Sequence, residues 1–225
     1  MTSIFQRALG RDFDRLHPQL QRRFSVGLAG GEGCIGRGVM DRVWHGPGFV
    51  RPFLRLGATR NILVPGAGRD IPFVIENLPY RDGYGRETVT FVRTFRFPGG
   101  ARRFDATMIF SDERQRIVDY LGTHQHLATD LHFAAEDGAL VIRSGEHRFR
   151  ERRFDARVPD LIGGDAEVRE SYDDAAGCFR IQVRVTNRYV GPLFGYQGRF
   201  QAEFVDVARC GVRAGLRPVR EEARA

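Results

Sequence analysis

From Ile71 to Val207, apolar side chains recur at every second position in run after run, and no other feature of the chain constrains its fold as strongly. Ile71, Phe73 and Ile75 alternate with other residues; then Val89, Phe91, Phe95 and Phe97; then Phe104, Ala106, Met108 and Phe110. Further runs cover 116–121, 126–133, 140–149, 166–172, 179–189 and 199–207. Turn-forming residues separate them, at Asp82-Gly83, Pro98-Gly99-Gly100, Asp137-Gly138, Gly163-Gly164-Asp165 and 173–177. A meander of roughly nine or ten strands twists and curls, and closure removes its exposed edges. The pattern therefore predicts a mainly β fold: an antiparallel β-barrel, closed or half-open, a calycin- or lipocalin-like meander with short N-terminal helices. A sheet wrapped around one long C-terminal helix fits less well, because residues 208–225 carry glycines and a proline where that helix belongs.

The period is different before Ile71. Ser3 is placed to cap a helix over Ile4 to Leu9, Gly10 stops it, and Pro18 opens a second helix running to Phe24. In the glycine-rich stretch from Gly27 to Gly38, Gly31, Gly33 and Gly36 match a G-x-G-x-x-G spacing. No apolar strand precedes it and no helix follows, so it reads as a mobile loop entering a strand over 35–44 and not as a dinucleotide site. Phe49 to Leu56 forms a helical candidate near one barrel mouth, its apolar face made of Phe49, Phe53, Leu54 and Leu56. The expected organisation is one domain over 1–207 followed by a flexible, Arg-rich tail over 208–225.

A chain of 225 residues can bury a full core without disulfides or metals. All 35 basic residues are arginine, which removes a phosphate-loop lysine and Schiff-base chemistry. A net charge of +7 would suit an anionic partner. Basic and acidic residues alternate through most of the body, however, so neither nucleic acid nor a membrane is the expected partner. No apolar run approaches the roughly 18 residues that cross a bilayer, and the first residues lack a signal pattern; the expected location is cytoplasmic. Cys34, Cys178 and Cys210 are odd in number and share no ligand spacing, so they read as reduced structural thiols with no metal.

Strand parity then selects polar side chains on apolar faces. Arg93 lies between Phe91 and Phe95, Glu170 shares a face with Ala166, Val168 and Tyr172, and Asn187 continues the face of Phe179, Ile181, Val183 and Val185. Buried opposite charges are costly apart, so Arg93 and Glu170 are expected to point inward, each satisfied by a buried partner; one such arrangement pairs them with each other, and the alternative puts Arg93 at a strand end reaching water. Asp41 and His45 share parity beside Trp44 at a strand end, an arrangement suited to general-base work. Catalytic candidates are therefore His45, Asp41, Arg93 and Glu170, and ligand-binding candidates Arg93, Glu170, Asn187, Tyr196 and Trp44. Among the tyrosines near strand ends, Tyr80, Tyr84, Tyr189 and Tyr196, the last, between Gly195 and Gly198, is the strongest. His124, His126, Asp130 and His132 share parity, but the opposite face of Leu127, Leu131 and Phe133 reads as core, which leaves the histidines solvated.

Several stretches resemble a known family: Phe5-Gln6-Arg7-Ala8-Leu9-Gly10 with Leu16-His17-Pro18, Gly38 to Arg42, Trp44-His45-Gly46-Pro47, Glu87 to Arg93, and Gly191 to Gly198. Over roughly residues 3 to 206 the chain is similar to the bacterial DUF4166 family. In that family the domain occurs alone or behind an NAD(P)-binding oxidoreductase domain, so the resemblance implies an oxidoreductase partner and no catalytic residues. Three functions follow as expectations. The first is binding of a small hydrophobic or amphipathic molecule in the barrel, without cofactor. The second is a cofactor-independent isomerase or cyclase using the same cavity. The third is a filled, non-catalytic accessory unit.

Overall fold

The computed structural model describes residues 2–159 and 163–225. Helix α1 (Ile4–Leu9) is held by a reciprocal capping box, with the Ser3 hydroxyl accepting from the Gln6 amide and the Gln6 side chain accepting from the Ser3 amide. The Ser3 hydroxyl also donates to the Phe24 carbonyl at 2.7 Å, tying α1 to helix α2 (Pro18–Phe24). Phe5 packs edge-on against Phe24 and Phe91, so this helical pair enters the core.

The remainder is one antiparallel sheet, curled into a half-barrel. Its strands are β1 (Glu32–His45), β2 (Gly68–Asn77), β3 (Pro79–Arg81), β4 (Glu87–Thr90), β5 (Val92–Phe97), β6 (Gly100–Phe104), β7 (Ala106–Ser111), β8 (Arg116–Leu121), β9 (Leu127–Glu136), β10 (Ala139–Glu151), β11 (Phe154–Arg157), β12 (Asp165–Asp173), β13 (Cys178–Asn187) and β14 (Gly191–Asp206). Along its hydrogen-bonded path the order is β3-β4-β7-β8-β9-β10-β12-β13-β14-β1-β2-β5-β6, with β11 beside β10.

The two ends of that path are joined by the chain itself. Pairing holds one register from Phe73↔Phe95 to Pro79↔Val89, and the Thr90 amide donates to the Leu78 carbonyl between them at 3.0 Å. A second register runs unbroken from Phe97↔Gly100 to Thr88↔Ile109, with Phe91 and Ala106 exchanging backbone bonds of 2.7 and 3.0 Å. Thus β2–β3, β4–β5 and β6–β7 are three bent strands, and the curl turns back on itself.

Hairpin turns alternate between two ends. At one end, around 82–86, 112–115 and 137–138, sit α1 and α2; the His17 amide donates to the Gly138 carbonyl at 2.9 Å. At the other end sits helix α3 (Arg51–Ala58), followed by a segment whose Asn61 carbonyl accepts from Asp105 at 2.8 Å and whose Arg60 carbonyl accepts from Thr123 at 2.9 Å.

Three expectations need correction. The glycine-rich stretch is strand from Glu32 onward. Its glycines serve contact between strands: a Cβ on Gly38 would lie 2.0 Å from the Arg199 carbonyl oxygen. The helix after Phe49 buries Leu54 but leaves Phe49, Phe53 and Leu56 exposed. Residues 208–225, expected to trail free, lie along the outside of the sheet. The Val219 amide donates to the Thr123 carbonyl at 2.7 Å, Arg150 reaches the Arg224 carbonyl at 2.6 Å, and Leu216 and Glu222 are buried. Hydrogen bonds from Arg224 and Arg220 overcome the cost of burial and hold the Glu222 carboxyl at about 2.

Candidate functional site

Between the N-terminal helices and the segment after α3 lies a cavity of about 110 Å³. Phe24 faces it from one end and Ile62 and Leu63 from the other. Its walls are mainly apolar, including Ile75, Met108, Leu131, Ile142 and Val183. Into this space the sheet turns a few polar groups: Arg93, Asp119, Thr129, Ser144, His147, Glu170 and Tyr196. Three of them form a row across adjacent strands, Asp119 opposite Thr129 and Thr129 opposite His147, with Thr129 Oγ1 and His147 Nδ1 2.8 Å apart.

Arg93 is buried on β5, where its guanidinium lies 4.0 Å over the Phe104 ring and makes two long bonds of 3.4 Å to the Phe91 carbonyl. A cation over an aromatic face keeps some of the stabilisation it loses on leaving water. Among the described residues, Asp119 Oδ1 and the Tyr196 hydroxyl are buried with no protein hydrogen-bond partner. Burial pushes the Asp119 carboxyl up to about 7, while the nearby Arg93 charge pulls the other way. The Tyr196 hydroxyl is raised for the same reason, again opposed by Arg93. Arg93 is thus the cation shared by two polar groups that have no other partner among the described residues.

Glu170 points inward as expected, but its partner is Arg23 of α2 and not Arg93. Arg23 and Glu170 are 1% and 2% exposed, and Arg23 also donates to Cys34 Sγ at 3.1 Å. Burial raises the Glu170 carboxyl and Arg23 pulls it back. This ion pair fastens the helical plug to β12, and breaking one side of such a pair costs about 3–5 kcal/mol.

The remaining sequence candidates lie elsewhere. β1 carries a bulge between Val39 and Arg42 that reverses its alternation, so Met40 and Val43 are both buried. Trp44 and His45 consequently border an outer groove with Arg42, Gln182 and Arg184, while Asp41 borders another beside Arg180. The His45 Nδ1 contact is the Gly46 carbonyl at 2.9 Å, and no bond joins it to Asp41 among the described residues. Asn187 closes a turn, accepting from the Tyr189 and Val190 amides at 2.8 and 3.1 Å and donating to the Gly163 carbonyl at 2.7 Å. Of the histidine group, His126 meets Glu151 at 2.7 Å and Asp130 pairs with Arg114 at 2.6 Å. Among the described residues no three metal-ligating side chains converge.

Sequence reasoning missed Asp119, Thr129, His147 and Arg23. Parity could have found Asp119, which alternates with Ile117 and Leu121, although Val118 and Tyr120 make the other face equally apolar. His147 follows a second irregularity, between Ser144 and His147, that breaks the count. It also borders a polar surface pocket of about 260 Å³ with Gly145, Glu146, Arg157 and Asp165. The cavity and the outside therefore share His147 as a wall.

A family model described as a domain of unknown function, DUF4166, matches residues 16–200. The uncharacterized protein YndH of Bacillus subtilis (strain 168) is 35% identical over 204 residues, which is 90% of this chain and 98% of that protein. No solved structure matches.

Proposed function

The chain belongs to the DUF4166 family, and we propose that its barrel holds one small, mainly apolar molecule bearing an uncharged hydroxyl or carbonyl oxygen, received by Arg93, Asp119 and Tyr196. The observation that carries this reading is the pair of buried atoms, Asp119 Oδ1 and the Tyr196 hydroxyl, left without a hydrogen-bond partner among the described residues beside a buried guanidinium. Such atoms cost about 1–3 kcal/mol each when nothing answers them. A ligand hydroxyl placed between them and Arg93 would accept from Tyr196 or Arg93 and donate to Asp119 Oδ1, whereas a carbonyl oxygen would accept from Tyr196 and Arg93, and from Asp119 when its carboxyl is protonated. The size also favours a small ligand: a cavity of roughly 150 Å³ holds a benzene ring, and this one measures about 110 Å³. That space supports the binding reading over a completely filled accessory unit.

Thermal melting against monocyclic phenols, cyclic ketones and short-chain alcohols tests the reading. The expected result is a concentration-dependent rise in Tm following RT ln(1 + [L]/Kd). Tyr196→Phe and Asp119→Asn should reduce the rise, and Ile142→Trp, which fills the space, should abolish it. No rise with any probe on the wild-type protein returns the domain to the accessory reading.

One observation favours a second reading, an isomerase-type proton transfer. A carboxyl titrating at about 7 inside an apolar cavity is suited to exchange protons with a bound carbon acid. Solvent deuterium appearing in a bound cyclic ketone, and ceasing in Asp119→Asn, would distinguish turnover from binding.

A further inference from the structure

We propose that the end of the barrel carrying α3 docks on an anionic phospholipid surface. This departs from the expectation, drawn from alternating charges, that the chain has no membrane partner. The alternation fails at one place in the fold. From Arg42 to Arg69 the chain has five arginines and no carboxylate, and from Thr88 to Phe104 it has four arginines and none. The structure brings these two stretches together, because α3 packs against β6. Arg55, Arg102 and Arg103 line one groove between them.

Arg103 is neutralised by Asp105 at 2.8 Å, but among the described residues Arg51, Arg55 and Arg96 have no ion-pair partner, and Arg102 reaches only the Ala101 carbonyl. Among these cations stand Phe49, Phe53 and Leu56, exposed to 58%, 64% and 70%. Leu54, on the opposite side of the helix, is 2% exposed and anchors it to the core. Adjacent exposed apolar side chains mark an interaction site.

The charge around them identifies the occupant. An excess of arginines over carboxylates repels a second copy of the same surface, which argues against self-association. The apolar side chains project instead of forming a pocket, so a folded partner would need matching cavities, whereas a lipid leaflet yields to whatever projects into it. Aromatic and leucine side chains entering the acyl boundary, with arginines at the phosphate level, is the arrangement of an interfacial anchor. The inference rests on the exterior alone and holds whether or not the cavity is occupied.

Flotation of the full chain with vesicles tests it. Binding is expected to phosphatidylcholine vesicles containing phosphatidylglycerol, not to phosphatidylcholine alone, and it should weaken as salt screens the headgroups. Arg55→Ala and Arg102→Ala should each lower the partition by roughly fivefold. Phe49→Ser with Phe53→Ser should abolish it without changing the melting temperature. Equal binding to both vesicle types, or none to either, overturns the proposal. So does a dimer in gel filtration that the serine variants dissociate, which would make the face a contact between copies. The comparison of vesicle types on wild-type protein decides the matter even if a variant fails to fold.

Discussion

A carboxyl enclosed by apolar walls resists ionisation, and Asp119 does so at about 7 against an ordinary value of 3.8. Its folded pKa is raised, so the stability it contributes is complete below about 4 and is lost as pH rises through about 7. The gap between those two values corresponds to about 4 kcal/mol. Urea melts at pH 5 and pH 8 should therefore show Asp119→Asn gaining on the wild type as pH rises; a constant difference would place the carboxyl in contact with water. At this scale the sequence was partly legible. Arg93 and Glu170 could be read as inward because each occupies an apolar face of a strand, whereas Tyr196 stood out only as a tyrosine between Gly195 and Gly198 near a strand end. The partner of Glu170 could not, since Arg23 lies on a helix 147 residues away and nothing in its neighbourhood announces burial. Asp119 stayed hidden because β8 is apolar on both faces, one lining the cavity and the other lying beneath the C-terminal segment.

Among the elements, the bulge in β1 decides which side chains reach the interior. Met40 and Asp41 together oppose Gly198 of β14, and a Cβ at Gly198 would lie 2.3 Å from the Val39 carbonyl oxygen and 2.5 Å from Met40 Cα. Neither neighbour is a side chain able to swing away, so the backbone itself must give. Gly198→Ala is expected to destabilise the fold by about 1–3 kcal/mol, read from the denaturation midpoint; an unchanged midpoint would mean that the bulge relaxes freely. The same bulge explains why Asp41 and His45, matched by counting in twos, do not meet. Strand runs were legible wherever β-branched and aromatic residues alternate. They were illegible where glycine and proline interrupt them, as over 32–34 and 191–198, because a strand crossed closely by its neighbour needs those residues.

For the molecule as a whole, the period-two pattern foretold the curled antiparallel sheet, but not how its margins are covered. The C-terminal segment shields Tyr120 and receives hydrogen bonds from Arg86 and Arg150 at 2.6 Å each. Deleting residues 217–225 removes those acceptors and should cost about 3 kcal/mol, a fall in Tm of roughly 6–12 °C. A shortened chain that melts with the full-length one would show that the segment adds nothing. The seam between β1 and β14, which joins residues 32–45 to residues 191–206, bears on how the protein is made. A ribosome adding roughly 5–20 residues per second needs on the order of 10–30 s after β1 emerges before β14 exists to meet it. During that interval β1 has β2 on one side and a bare row of amides and carbonyls on the other. Its run of glycines, poor in intrinsic strand preference, makes that waiting edge a weak template for other nascent chains.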